Sequence, residues 1–259
     1  MSQLEQFPGI RLRAIPITGP DAVVFMQAQL TVDIHNIADQ RLHPTAWCSP
    51  DGRVDTVLLV ALEAGRVTLV LPETMVEATL KRARMFSIGR KVTIEQTSSV
   101  HPAGHTSPDP DRELALAFDP ARALVIDDAA ENPDDRATEL SAEWLQADVQ
   151  CRMPWILPEN AGLFLPQMLG MEALGGLSYK KGCFPGQEVI ARVHYRGRVT
   201  RRITGFRLQA DRPPAPGTEF ELAGKPARVL YAVAGSGPAT AVAGLAVVAA
   251  EARDDAEIS

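Results

Sequence analysis

A β-branched run at residues 54–62 stands between the stretches 45–48 and 67–71, with only Pro50-Asp51-Gly52 and Ala64-Gly65 to separate the cores of the three. Strands joined by turns this short can pair only as antiparallel neighbours, so the first half of the chain is predicted to hold a three-stranded meander. Pro72 ends the third strand. Ahead of the meander, residues 12–17 alternate weakly and read as a strand, and Thr18-Gly19-Pro20-Asp21 has the form of a helix start. In the helix that follows, Val23, Met26 and Leu30 share a buried face, Gln27 and Gln29 project elsewhere, and Thr31, Val32 and Asp33 leave the helix. Residues 73–86 are predicted as a second helix, with Val76, Leu80 and Ala83 inward, and residues 91–95 as a strand.

Residues 96–112 are rich in Ser, Thr, Pro, Asp and Gly and read as a loop or subdomain boundary. His101 and His105 have helical spacing, but Pro102 and Gly104 oppose a helix there, so both are expected as solvated loop residues rather than metal ligands. Residues 113–118 and 122–127 read as strands about an Asp119-Pro120 turn, and residues 137–149 as a helix. After Gly197 the pattern changes to short strands at 199–208, 219–222, 227–234 and 239–249, divided by Gly and Pro, which suggests a small β-barrel. The acidic residues 251–259 are expected to fray.

With 259 residues, 46% hydrophobic and 22% charged, the chain can bury a substantial core. It has no apolar run of the ~18 residues that a membrane helix needs and no basic head joined to an apolar stretch, so a cytoplasmic protein is expected. Cys48, Cys151 and Cys183 are widely spaced without a C-x-x-C pair, which points to reduced thiols. Three cysteines cannot supply the four thiolates of an ordinary iron-sulfur cluster, so no stably bound cluster is expected, and Cys183 is left as at most a transient metal ligand. The net charge of −6 argues against direct nucleic-acid binding. Residues 180–202 nevertheless hold Lys180, Lys181, Arg192, Arg196, Arg198, Arg201 and Arg202 against one acid, Glu188: either a solvated basic face or a site for an anion.

The chemistry concentrates in Tyr179-Lys180-Lys181-Gly182-Cys183-Phe184-Pro185-Gly186-Gln187-Glu188. Pro185-Gly186 makes a tight turn that presents Cys183 at a bend, and a helix with Val189, Ile190 and Val193 on one face follows. The helix start, Lys180 and Lys181 would favour the thiolate. Set beside this, a cysteine between glycine and phenylalanine can simply fill a gap.

Lys181-Gly182-Cys183-Phe184-Pro185-Gly186-Gln187-Glu188 resembles the K-G-C-[YF]-x-G-Q-E signature of the YgfZ family, folate-binding relatives of the glycine-cleavage T-protein. The likeness extends to Phe164-Leu165-Pro166-Gln167, Ala173 to Ser178, Ala191-Arg192 and Arg196-Gly197, and to a separate block, Gly19-Pro20-Asp21 with Phe25 to Asp33. The middle of the chain, residues 96–150, is abbreviated.

This resemblance implies an α+β fold: a T-protein-like split folate-binding region over residues 1–198, then a C-terminal β-barrel over 199–259. It implies tetrahydrofolate or a related folate as ligand, with Gln27, Gln29, Gln150, Gln187 and Glu188 near it and Arg192 or Arg196 at its glutamate tail. Where T-proteins carry two adjacent acids, this chain has Asp55-Thr56. Where relatives carry E-A-G-x-P, it has Gln150-Cys151-Arg152-Met153-Pro154. The departures favour binding over one-carbon transfer. Three functions stay open: a tetrahydrofolate-binding accessory factor for iron-sulfur proteins, including tRNA-modifying ones and their assembly factors, with Cys183 as its thiol; a folate-dependent aminomethyltransferase or demethylase using Asp55; or an interaction module in which Cys183 is structural.

Overall fold

The structure, a computed structural model, describes residues 9–38, 40–103, 113–127, 138–235 and 241–250. In chain order the elements are β1 (Leu12–Thr18), α1 (Ala22–Gln27), β2 (Arg41–Cys48), β3 (Val54–Glu63), β4 (Arg66–Pro72), α2 (Val76–Phe86), β5 (Thr93–Ile94), β6 (Ser98–Pro102), β7 (Glu113–Leu116) and β8 (Asp119–Ile126). They continue with α3 (Ala142–Cys151), α4 (Gln187–Arg196), β9 (Arg201–Gln209), β10 (Glu219–Leu222), β11 (Lys225–Ala234) and β12 (Ala241–Ala249).

The meander forms as its sequence requires, with β2 antiparallel to β3 and β3 to β4. Two further pairings close it. β1 runs antiparallel to β4 from Leu12 opposite Pro72 to Ile17 opposite Val67, and β2 meets β7 in parallel through Arg41 opposite Ala115 and Leu42 opposite Leu116. The order β4-β3-β2-β7-β8-β6-β1 thus returns to β4 as a closed seven-stranded barrel, with β5 paired to β1. Closure leaves these strands without a free edge along the shared register. The C-terminal strands form a four-stranded antiparallel sheet, β10-β11-β12-β9, a half-barrel.

β3 is buried on both faces, which is why its sequence is a nearly unbroken apolar run. Val54, Val57, Leu59 and Ala61 join one core; Leu58 and Val60 join a second, capped by Phe25 and Met26 of α1 and Ala83 of α2. The larger core also takes in Leu145, Trp155, Phe164, Ile190, Leu230, Tyr231 and Leu245. Packing is therefore continuous across residue 198, and each fully buried aliphatic side chain contributes roughly 1.5–3 kcal/mol. Among the described residues no helix is long and apolar enough to cross a membrane.

Five local expectations change. Residues 98–102 are a strand, not loop: Ser98 and Ser99 are buried and pair with β1. His101 is held there, with Nε2 2.9 Å from Asp127 Oδ2 and Nδ1 3.0 Å from Thr138 Oγ1, so it is no solvated loop histidine. The hairpin turn falls at Ala117 and Phe118, because Asp119 and Pro120 already belong to β8. α1 begins at Ala22, and Asp21 accepts from the Lys91 N–H rather than sitting inside a helix capped by Thr18. The third helix starts after Ser141, whose hydroxyl caps the Trp144 N–H. His105, residue 137 and the stretch 251–259 lie outside the described residues.

Candidate functional site

α1 is short and ends at Gln27; the carbonyls of Val24, Phe25 and Met26 accept from the N–H groups of Ala28, Gln29 and Leu30, and the Gln27 carbonyl is left for another donor. The ammonium of Lys181 reaches that oxygen and two more in the loop beyond: Nζ donates to the carbonyls of Gln27 at 2.5 Å and Val32 at 2.9 Å, and to that of Leu30. The side chain is buried, and burial pushes its pKa down to about 8 against the pull of Asp33. Nζ also stands 5.2 Å from the centre of the buried Phe184 ring. Thr31 completes the seam. Its hydroxyl donates to the Gly176 carbonyl at 2.6 Å and accepts from the Ala46 N–H at 2.9 Å, while its carbonyl accepts from the Ser178 N–H at 2.9 Å. The two sequence blocks, far apart in the chain, meet here. Lys181 is consequently removed from the solvated basic face, whereas Lys180, Arg192, Arg196 and Arg198 are exposed.

On the other side of the cysteine, Gly186 has φ +78° and Gly52 has φ +80°. A Cβ on Gly186 would stand 2.5 Å from Gly52 Cα and 2.6 Å from the Ser49 carbonyl oxygen, so the two turns nest only because both lack side chains. α4 starts directly afterwards, with Ile190 buried and Val189 and Val193 packed on the larger core. Gln167 locks it from below by donating to the Ile190 carbonyl at 2.8 Å. Cys183 is exposed between these anchors. Cys48 is buried and its thiol pKa is driven far up; Cys151 is half-buried, its pKa raised mainly by burial, 3.8 Å from Asp119.

Asp55 on β3 forms an ion pair with Arg82 of α2, whose guanidinium also donates to the Cys48 carbonyl. Burial raises the Asp55 pKa and Arg82 opposes it. The guanidinium carbon lies 5.1 Å from the Trp47 ring centre, and Trp47 bridges Leu30, the neighbour of Gln29. Two buried donors in this group lack a hydrogen-bond partner, Trp47 Nε1 and Arg82 Nε, as does Gln29 Oε1 on the residue next to Leu30. Orphans of this kind are uncommon and costly. The two donors, Trp47 Nε1 and Arg82 Nε, belong to side chains packed beside each other and beside the Asp55 carboxylate, and can hold the polar edge of a flat ring. All three atoms are closed off from solvent, so entry needs movement of the side chains above them.

The other predicted site residues separate. Gln27 is fully engaged, donating to Asp33 Oδ1 and accepting from the Ile34 N–H, both at 2.8 Å. Gln187 is half-buried at the start of α4, and Glu188, Arg192 and Arg196 are exposed along it. Gln150 is exposed on α3, beside a depression shared with Arg207 and Gln209, and belongs to neither group. A cavity of about 700 Å³ between α3, β11 and residues 211–215 contains none of the predicted residues. No cluster of metal-ligating side chains occurs among the described residues. Arg82 and Trp47 were missed by sequence reasoning. The signal for Arg82 was Asp55 itself, an acid inside a β-branched run that calls for a cation.

No family model matches the chain. It is 28% identical over 236 residues to "tRNA-modifying protein YgfZ" of Klebsiella pneumoniae (strain 342), an alignment covering 80% of this chain and 72% of that one. With the protein of the same name from Cronobacter sakazakii it shares 26% identity over the same proportions. In structure it matches the glycine cleavage system aminomethyltransferase T from Bartonella henselae with a TM-score of 0.58 over 92% of this chain and 76% of that chain, at 15% identity. The chain is accordingly a relative of tRNA-modifying protein YgfZ, carried on the fold of a glycine-cleavage aminomethyltransferase.

Proposed function

We propose that this protein binds tetrahydrofolate or a close folate and acts as an accessory factor for iron-sulfur proteins, tRNA-modifying enzymes among them, with Cys183 as its working thiol. The observation that carries the reading is the contrast between the two polar centres. Cys183 is exposed on a loop anchored by Lys181 and Gly186, while the one acid left in the T-protein position, Asp55, is held by Arg82. A carboxylate in that pairing is poorly placed to manage a proton or a developing cation, which one-carbon transfer requires. It can still hold the polar edge of a bound ring. The name shared by the sequence relatives supports the link to tRNA modification, and the T-protein fold supports the folate.

Titration calorimetry with tetrahydrofolate tests the binding half. Binding to the wild-type chain, weakened roughly ten-fold in Trp47→Phe or Arg82→Met through loss of about one hydrogen bond, is the expected result, together with no turnover of an aminomethyl donor. Absence of binding, or turnover abolished by Asp55→Asn, would overturn it.

A further inference from the structure

We propose that the outer face of α4, with Tyr179 and Lys180 of the cysteine loop, binds a short single-stranded nucleic-acid segment. Three rings adjoin there. Tyr179 stacks on His194 with centroids 3.8 Å apart and planes at 22°, and Tyr195 meets His194 edge-on at 4.7 Å and 82°. Tyr195 is 70% exposed and adjoins the stacked pair rather than standing alone. Glu172 fixes the arrangement by accepting from the Tyr179 hydroxyl and lying 3.2 Å from His194 Nδ1.

Arg192 and Arg196 lie one helical turn apart, next to Tyr195 on the side of the helix away from His194, both exposed and neither in an ion pair among the described residues; Lys180 is exposed beside Tyr179. An exposed ring backed by a stacked pair and next to unpaired cations supplies the elements of a single-strand site, because every base offers a π face and every nucleotide a phosphate. An acidic protein surface would engage the arginines but leave Tyr195 in water. A duplex would hide its base faces. The net charge of −6 and Glu188, exposed on the same helix, restrict the contact to a few nucleotides. The inference does not depend on the ring site of the folate reading at Asp55, Arg82 and Trp47, although Arg192 and Arg196 are also the residues expected at a folate's glutamate tail.

Fluorescence anisotropy with the full chain and a labelled oligoadenylate of about 12 nucleotides tests it, at roughly 50 and 200 mM salt. Binding should fall with salt. Tyr195→Ala should weaken it about ten-fold with the salt slope unchanged, and Tyr195→Phe should bind as wild type. Arg192→Gln with Arg196→Gln should flatten the slope by about 0.7 for each phosphate no longer neutralised. No binding at the lower salt, or no effect of Tyr195→Ala, would overturn the proposal. So would equal binding of a duplex, or displacement by oligoglutamate at matched charge concentration, which would make the occupant an acidic chain.

Discussion

Lys181 donates a hydrogen bond to the carbonyl of Leu30, inside a pocket of backbone oxygens drawn from the last residue of α1 and the loop that follows it. A charged side chain thus ties the last carbonyl of α1 to the loop after it, and through it the cysteine loop takes its position from the first helix. Lys181→Met keeps the stem and removes the donors, leaving buried carbonyls unpaired. Urea denaturation should show a loss of about 2 kcal/mol, and amide exchange should quicken in residues 178–184 before it does so elsewhere.

Thiol accessibility gives a second outcome. Brief alkylation at neutral pH followed by mass mapping should label Cys183 first, Cys151 more slowly and Cys48 only on unfolding, because Cys183 is exposed and Cys48 is buried with a strongly raised pKa. Equal labelling of the three would contradict the described loop.

The nesting of two turns predicts unequal costs for one kind of substitution. Gly65 has φ +85° and nothing within 4 Å of where a Cβ would stand, so Gly65→Ala meets only the left-handed penalty of about 1–2 kcal/mol. Gly186→Ala adds a clash with the backbone of Gly52 and Ser49 and should cost at least about 2 kcal/mol more. Thermal melts of both variants read the difference directly.

Asp148 should make stability depend on pH. It is buried, donated to by Trp155 and Arg122 at 2.8 Å each, and burial pushes its pKa up to about 6. The folded chain then holds this proton more tightly than the unfolded chain, whose aspartate titrates near 3.9. Stability from this group is therefore full below that value and is lost as pH rises to about 6. Denaturation across that window should show the wild type losing stability relative to Asp148→Asn. Parallel curves would exclude the effect.

The strands β2, β3 and β4 were legible because β-branched runs and turn residues act locally. Barrel closure was not, since the pairing of Leu12 with Pro72 and of Arg41 with Ala115 joins segments that no local pattern connects. β6 stayed hidden because Ser98 and Ser99 look like loop, yet their burial is made tolerable by Arg13, whose guanidinium donates to Ser99. Lys181 misled for the opposite reason. A lysine pair reads as solvated charge, and only the distant end of α1 turns one of the two inward. Cys183 was found because its neighbours carry strong local geometry; Trp47 and Arg82 were not, because the group they form with Asp55 is assembled from three separate elements.

A thiol-centred accessory role without acid chemistry stands or falls on iron-sulfur enzyme activity in cells whose own copy is replaced by Cys183→Ala or Asp55→Asn, at matched protein levels and under oxidative stress. A general acid-base group contributes roughly 10² to 10⁴ in rate, so a catalytic Asp55 would make its loss the more severe. The expected order is the reverse: reduced activity with Cys183→Ala and a smaller effect with Asp55→Asn. Full activity in the Cys183→Ala cells would contradict it.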